Sequence, residues 1–334
     1  MSVDVIKPGA LSLFQDGGRY GYQKLGVPVC GPMDVNAHRL ANLLVGNDER
    51  VAALEITLMG PTLRFSVTAC IAVTGADLGA RVDGKPIALN RPHIVAPGQV
   101  LGFTGAVSGI RAYLAVHGGF SLKPVLDSCS TYLKGRLGGV DGRALKAGDS
   151  IGLNAALAAD PAFVKESREL LWGLRIYLPA QLGLVRRSAL RVMKGPHWPL
   201  FTDRSIADFL GGRFRVSPQS DRMGYRIEGP KLAVKKPTQI LSEATAFGAI
   251  QVPHGGDPIV IMADRQTMGG YPKIAYVSSV DLPSLSQCRP GDHIHFKLIS
   301  LEEAQDLDKQ REEAFAGLAD SLAVIGKILT RDSK

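Results

Sequence analysis

This chain is poor in the features that most directly announce a function. It has four cysteines, Cys30, Cys70, Cys129 and Cys288, and no two form a C-x-x-C pair, so neither a zinc site nor a dithiol redox motif is signalled. Its histidines lack the H-E-x-x-H spacing of a metalloprotease. His293 and His295 share one face of an expected strand, where a half-buried pair is the ordinary reading and no metal site is expected. There is no G-x-x-x-x-G-K-[ST] phosphate loop, no strand–GxGxxG–helix arrangement and no G-x-S-x-G elbow. No apolar run approaches the roughly 20 residues that cross a bilayer. Met1 to Asp16 shows no basic segment followed by an apolar core. The expectation is a soluble cytoplasmic chain with reduced thiols and no membrane association. The net charge of +8 is spread thinly. The longest basic runs are the pairs Arg186-Arg187 and Lys235-Lys236, without interleaved aromatics, so no nucleic-acid partner is expected.

What is present is turn chemistry. Thirty-eight glycines and 20 prolines punctuate short runs of β-branched and aromatic residues. Strands are expected at Thr62–Val67, Ile71–Thr74, Ile110–Val116, Arg175–Leu178, Phe214–Ser217, Ile259–Ala263, Ile274–Val277 and His293–Leu298. Three helices stand out. Asp34 caps the first, which carries Ala37, Leu40, Ala41 and Leu44 on one face and stops at Gly46. A second starts near Asp203, with Ile206, Phe209 and Leu210 together and Gly211 as its stop. A third opens at the capping box Ser300-Leu301-Glu302-Glu303, and the residues toward Lys334 are expected to fray. Between Asn154 and Leu171 an alanine-rich and then charged stretch reads as a linker.

The halves on either side echo one another. Gly60-Pro61-Thr62-Leu63, Gly118-Gly119-Phe120 and Gly148-Asp149-Ser150-Ile151 recur in order as Gly229-Pro230-Lys231-Leu232, Gly269-Gly270-Tyr271 and Gly291-Asp292-His293-Ile294. The spacings differ, but the order points to a duplicated β architecture.

Four polar clusters are candidates for chemistry. They are Gln15-Asp16-Gly17-Gly18-Arg19, Gly31-Pro32-Met33-Asp34, Ser220-Asp221-Arg222-Met223-Gly224-Tyr225-Arg226, and the hairpin running from Asp264-Arg265-Gln266-Thr267 to Tyr271 and Lys273. The last sits where an apolar strand ends and another begins, the way a rigid sheet presents a binding site. Salt bridges at turns account for such acid–arginine pairs more often than catalysis does. Val192-Met193-Lys194-Gly195 is a near miss for a biotin-accepting lysine, which is normally flanked by methionine on both sides.

Those clusters, with Ala41-Asn42-x-x-Val45-Gly46-Asn47, Leu54-Glu55, Gly195-Pro196-His197, Gly248-Ala249-Ile250-Gln251-Val252-Pro253 and Pro290-Gly291-Asp292, resemble the KipA family nearly throughout, up to about Ser300. That family includes the C subunits of 5-oxoprolinase, formerly called allophanate hydrolase subunit 2. The resemblance implies a mainly β chain with a few helices, built as two tandem cyclophilin-like β-barrel domains over 1–155 and 172–300, followed by a helix and tail over 301–334. It implies a hydrolase that opens 5-oxo-L-proline to L-glutamate with ATP cleavage, working with two partner subunits, one LamB/YcsF-like and one KipI-like. ATP is expected to be bound together with those partners. Two alternatives follow from the same resemblance. One is a carboxyltransferase component acting with carboxybiotin on urea or another amide. The other is a non-catalytic antagonist of a KipI-type kinase inhibitor. Fold does not choose among the three.

For the lactam chemistry, Asp264 and Asp221 are the candidate acid–base groups. Arg222, Arg265 and Lys273 are candidate anion clamps. Gln266, Thr267 and Tyr271 are placed to hydrogen-bond an amide, and Gln15, Asp16 and Arg19 complete the expected substrate-binding set.

Overall fold

The computed structural model describes residues 1–236 and 239–330. The chain divides into two compact units that are not consecutive in sequence. Unit one comprises Met1–Arg19, Asp34–Leu182 and the chain from Ala314 onward; unit two comprises Tyr20–Met33 and Gly183–Glu313.

Unit one is built on two sheets. The six-stranded sheet draws on β1 (Ser2–Lys7), β4 (Thr62–Phe65), β6 (Ala80–Val82), β7 (Lys85–Pro86), β9 (Val100–Phe103) and β11 (Ser150–Gly152), in the order β11-β1-β4-β9-β6-β7. The five-stranded sheet draws on β2 (Leu11–Gln15), β3 (Ala53–Thr57), β5 (Ala69–Asp77), β8 (Pro92–Val95) and β10 (Ser108–Val116), in the order β2-β3-β10-β5-β8. In β1 and β4 the apolar Val3, Val5, Leu63 and Phe65 alternate with Asp4 and Arg64, so one face is wet and the other buried. The buried face shares a core with Phe14, Ile56, Val73 and Leu114 of the second sheet. That second sheet is covered on its far side too. Helix α1 (Val35–Leu43) packs on β5 and β10, which is why β5 reads as an almost unbroken apolar run. Asp34 caps α1 by accepting from the Ala37 amide at 3.0 Å, as the sequence indicates.

The stretch read as a linker is largely a helix. Asp160 accepts from the Phe163 amide at 2.8 Å and Pro161 opens helix α2 (Pro161–Gly173). Phe163, Ser167 and Leu171 form its buried stripe, and α2 packs beside β8. Arg175–Leu178, expected as a strand, is irregular, with Arg175 and Tyr177 exposed and Ile176 and Leu178 half-buried. The Leu174 carbonyl before it accepts from Arg91 Nη2 at 2.7 Å instead of from a neighbouring strand.

Unit two is a closed barrel. Its strands are β12 (Ala189–Lys194), β13 (Phe214–Val216), β14 (Gly224–Glu228), β16 (Ala249–Gln251), β17 (Ile259–Ile261), β19 (Lys273–Val277) and β20 (His293–Leu298), joined in the order β12-β19-β16-β17-β14-β13-β20. A small ribbon, β15 (Glu243–Ala244) with β18 (Met268–Gly269), stands apart from the barrel sheet. Leu190, Val260, Ile274, Ile294 and the aromatic group Phe209, Phe214 and Phe296 fill the interior. Phe209 comes from α3 (Asp203–Gly211), capped by Thr202, and α4 (Leu282–Ser286) follows β19. Mainly β with helices is thus the observed class, with the ring closed by hydrogen bonds in unit two and two separate sheets in unit one.

Helix α5 runs Leu301–Leu329 without a break, and the tail toward Lys334 expected to fray, residues 331–334, lies outside the described residues. The Ser300 hydroxyl accepts from the Glu303 amide at 3.0 Å, so the capping signal is correctly read. Within unit one, Phe315, Leu318, Leu322 and Ile325 bury one stripe of α5. The Arg39 guanidinium lies 3.8 Å over the Phe315 ring, so α1 packs against the middle of α5. No described helix is long and apolar enough to cross a membrane.

Candidate functional site

The hairpin between β17 and β19 gathers most of the expected site residues, but it gives them different roles. Asp264 follows β17, and its amide donates to the Arg222 carbonyl at 2.8 Å. This places the two side chains opposite each other. Arg222 Nε donates to Asp264 Oδ2 at 3.0 Å and Nη2 to Oδ1 at 2.9 Å, a two-toothed pair with both side chains 6% exposed. Arg222 Nη2 also donates to the Gly31 carbonyl at 2.7 Å, tying the Gly31-Pro32-Met33 segment to the barrel, where Met33 is wholly buried in the core. Asp264 is therefore occupied, not poised as a free base. Asp221 is exposed and structural as well: its Oδ1 accepts from the Met223 and Gly224 amides at 2.8 and 3.1 Å and closes the turn before β14.

Lys273 is different. It begins β19 with only 1% of its surface exposed, and its ammonium donates to Glu243 and to the Ala244 carbonyl at 3.1 Å. The β15–β18 ribbon sets Glu243 opposite Gly269 and so delivers it to Lys273 from 30 residues away. The Lys273 amide donates to His197 Nδ1 at 3.0 Å. His197 must therefore be unprotonated at Nδ1, and its Nε2–H stands 3.8 Å from Glu243. Gly195 makes this approach possible. A Cβ there would lie 2.4 Å from the Lys273 carbonyl. Glu243 is the open end of the group, with 43% of its side chain exposed. The Lys273 hydrogen bond outweighs partial desolvation and holds the Glu243 carboxyl below its usual range.

Arg265 is half-buried and has no carboxylate within ion-pair distance among the described residues. Its guanidinium lies 6.0 Å from the Phe247 ring centre, and burial lowers its pKa. A partly desolvated guanidinium without a counter-ion is a ready anion site. Tyr271 is 43% exposed and meets His254 edge-to-face at 6.2 Å. Gln266 is exposed and Thr267 half-buried; their carbonyls accept from the Thr245 hydroxyl and amide respectively, so the backbone here serves the loop.

Gln15, Asp16 and Arg19 belong to unit one, where they hold a loop together. Asp16 Oδ1 accepts from the Ser128 and Ser130 hydroxyls at 2.6 and 2.7 Å, and Oδ2 from the Cys129 amide. Burial alone would raise the Asp16 pKa, but these donors bring it below the usual value. Arg19, fully buried, donates to the Val125, Ser128 and Ser130 carbonyls at 2.8, 3.2 and 2.9 Å. Gln15 Nε2 donates to the Thr131 carbonyl at 3.1 Å. Gly138 completes the fit, since a Cβ there would meet the Ser130 carbonyl oxygen at 2.1 Å. Nearby, buried Glu55 accepts from the Tyr113 hydroxyl at 2.6 Å, and that hydroxyl accepts from the Asp34 amide at 2.8 Å. Among the described residues no group of three His, Cys, Asp or Glu is placed to hold a metal ion.

Sequence reasoning missed Glu243 as a site residue and saw His197 only as part of a shared motif. Glu243 lies in a polar loop with no local pattern, and only the ribbon pairing brings it to Lys273.

Residues 25–298 match the family described as "Carboxyltransferase domain, subdomain A and B". The chain is 39% identical to the 5-oxoprolinase C subunit of Escherichia coli K12 across 94% of this chain and 97% of that one. It is 37% identical to the protein of the same name from Haemophilus influenzae, across 93% and 95% respectively. Among solved structures, the urea carboxylase of Kluyveromyces lactis superposes with a TM-score of 0.84 at 32% identity, over 95% of this chain and 29% of that one. A family match that takes in both units, together with relatives aligned along almost their whole length, means that the chain belongs to the carboxyltransferase-domain family of subdomains A and B, together with the C subunits of 5-oxoprolinase.

Proposed function

We propose that this chain is the C subunit of an ATP-dependent 5-oxoprolinase, a component that works with LamB/YcsF-like and KipI-like partners to hydrolyse 5-oxo-L-proline to L-glutamate. The observation that carries this reading is the near end-to-end alignment, at 39% and 37% identity, with two bacterial proteins of that name. A lactam is a resonance-stabilised amide. Opening it requires activation of the carbonyl oxygen, an anion site for substrate carboxylate or phosphate, and a group to orient the ring nitrogen. Arg265 supplies a guanidinium that has no carboxylate at ion-pair distance among the described residues. Lys273, buried and bonded to Glu243 and the Ala244 carbonyl, positions the Glu243 carboxylate from beneath. Glu243, kept ionised by Lys273, accepts a hydrogen bond from the amide nitrogen, and the tautomer of His197 is fixed by the Lys273 amide. Tyr271 lies on the exposed side of the same hairpin. Nucleotide binding is assigned to the assembly with the two partners, and the Arg222–Asp264 pair to positioning.

The test is phosphate release and glutamate formation from ATP and 5-oxo-L-proline, with this chain co-purified with its LamB/YcsF-like and KipI-like partners and each omitted in turn. Turnover only with all three supports the reading; full turnover without this chain overturns it. A second reading, a carboxyltransferase acting with carboxybiotin on urea or another amide, is favoured by the family description and by the likeness to urea carboxylase. It predicts turnover only with a biotinylated carrier, bicarbonate and urea.

A further inference from the structure

Apart from the hairpin site, unit two contains a cavity of about 480 Å³ between β19, the end of β12 and the first turns of α5. Its walls are mostly hydrocarbon, from Met193, Phe247, Val277, Leu282 and Ala304. Leu301, at the start of α5, leaves 57% of its surface exposed on the rim. The cavity opens to solvent, and its volume and lining fall in the range of small-molecule sites.

The polar groups at this cavity are mainly donors. Ser278 lines it with 1% of its surface exposed, and its hydroxyl has no hydrogen-bond partner among the described residues. A buried hydroxyl left unpaired is uncommon and points to a missing acceptor. Tyr276 lines the cavity too; burial, and then the charge of Glu243, raise its pKa, so it stays a protonated donor at neutral pH. Lys309 is held only loosely, 3.9 Å from Glu313, with 76% of its side chain exposed. The single carboxylate on the lining, Asp308, is already taken by the Ser279 hydroxyl and by Arg311 Nη2 at 2.6 Å. A cationic ligand would therefore find no free counter-charge, whereas an acceptor-rich anion would find several donors.

We propose that this cavity binds a small amphipathic carboxylic acid, with its apolar body against Phe247, Val277 and Leu282 and its carboxylate met by donors from Ser278, Tyr276 and Lys309. None of the hairpin residues from Asp264 to Lys273 lines it, but Arg265 lies 6.0 Å from the ring of its wall residue Phe247, so the cavity adjoins the hairpin site without sharing its lining. Isothermal titration calorimetry on the purified chain tests it, with octanoate and 4-phenylbutyrate as probes and octylamine as the cationic control. The expected result is one saturable site per chain for both carboxylates, at least tenfold weaker binding of octylamine, and a loss of about tenfold in carboxylate affinity in Lys309→Glu. Ala304→Phe, which fills the cavity, should abolish binding. Leu301→Glu, on the exposed rim, gives the same answer should Ala304→Phe fail to fold. Octylamine binding as tightly as octanoate, unchanged affinity in both Lys309→Glu and Leu301→Glu, or no saturable carboxylate binding would each overturn the proposal.

Discussion

The hairpin of unit two carries two ion pairs of opposite design. In Arg222–Asp264 both partners are buried, both guanidinium contacts are used, and a backbone carbonyl takes a further bond. In Lys273–Glu243 only the cation is buried, and the carboxylate faces outward with His197 beside it. A closed pair gives up its chemistry to hold structure. A pair with one wet member keeps an electrostatic field that a ligand can enter. The acid that looked most catalytic in the sequence, Asp264, belongs to the closed pair, and the acid that the sequence did not single out, Glu243, belongs to the open one.

Breaking the closed pair should have the largest effect. Asp264→Asn leaves the buried Arg222 charge uncompensated, so denaturant unfolding should show a loss of about 3–5 kcal/mol. A loss below about 1 kcal/mol would mean that Arg222 finds another partner and that the pair is not the anchor described. Lys273→Met is the complementary test. Its carboxylate partner can turn to water, so stability should change by only about 1 kcal/mol. Under the proposed function, turnover with the partner subunits should instead fall by about 10², the scale of a misplaced site group, because Glu243 loses the ammonium that positions it. Activity within a fewfold of the wild type would remove Lys273 from the reaction.

The smallest effect is expected from acid. The folded-state pKa of Glu243 is depressed by Lys273. Its contribution to stability is therefore fully present above the unfolded value of about 4.3 and is lost as the pH falls through the folded value. Because Glu243 is partly exposed, screening leaves only a slight slope in the unfolding midpoint between about pH 5 and 3. Urea denaturation across that range should show the slope in the wild type and a flatter profile in Glu243→Gln. Equal profiles would show that the open pair contributes nothing to folding.

Local signals were legible where they were backed by local physics. The Asp34 cap, the Ser300 capping box, the helix at Asp203 and most strands follow from capping and alternation, and all are present. The echo between halves is real at one point. Gly148 and Gly291 both take positive φ, 88° and 91°, and both lead into a strand whose turn bonds back to a neighbour. Elsewhere the match is of letters only, since Thr62 opens β4 whereas Lys231 and Leu232 lie in no strand. Helix α2 was hidden because alanine and charge surround its narrow stripe of Phe163, Ser167 and Leu171. The segment at Arg175–Leu178 has strand-like composition but pairs with no strand among the described residues. The cluster around Lys273 was only half legible. The lysine sits in a recognisable run, but the ribbon that brings Glu243 to it is a long-range pairing without a motif.

The interleaving of the two units bears on how this chain can be cut. The Tyr20–Met33 segment, encoded among the first strands, belongs to unit two, and the turns of α5 from Ala314 onward belong to unit one. A gene divided near residue 172 would strip Met33 from the barrel interior and deprive the two-sheet unit of Phe315 and Leu318. For expression, for fusion to another protein or for exchange between genomes, the indivisible module is the whole chain.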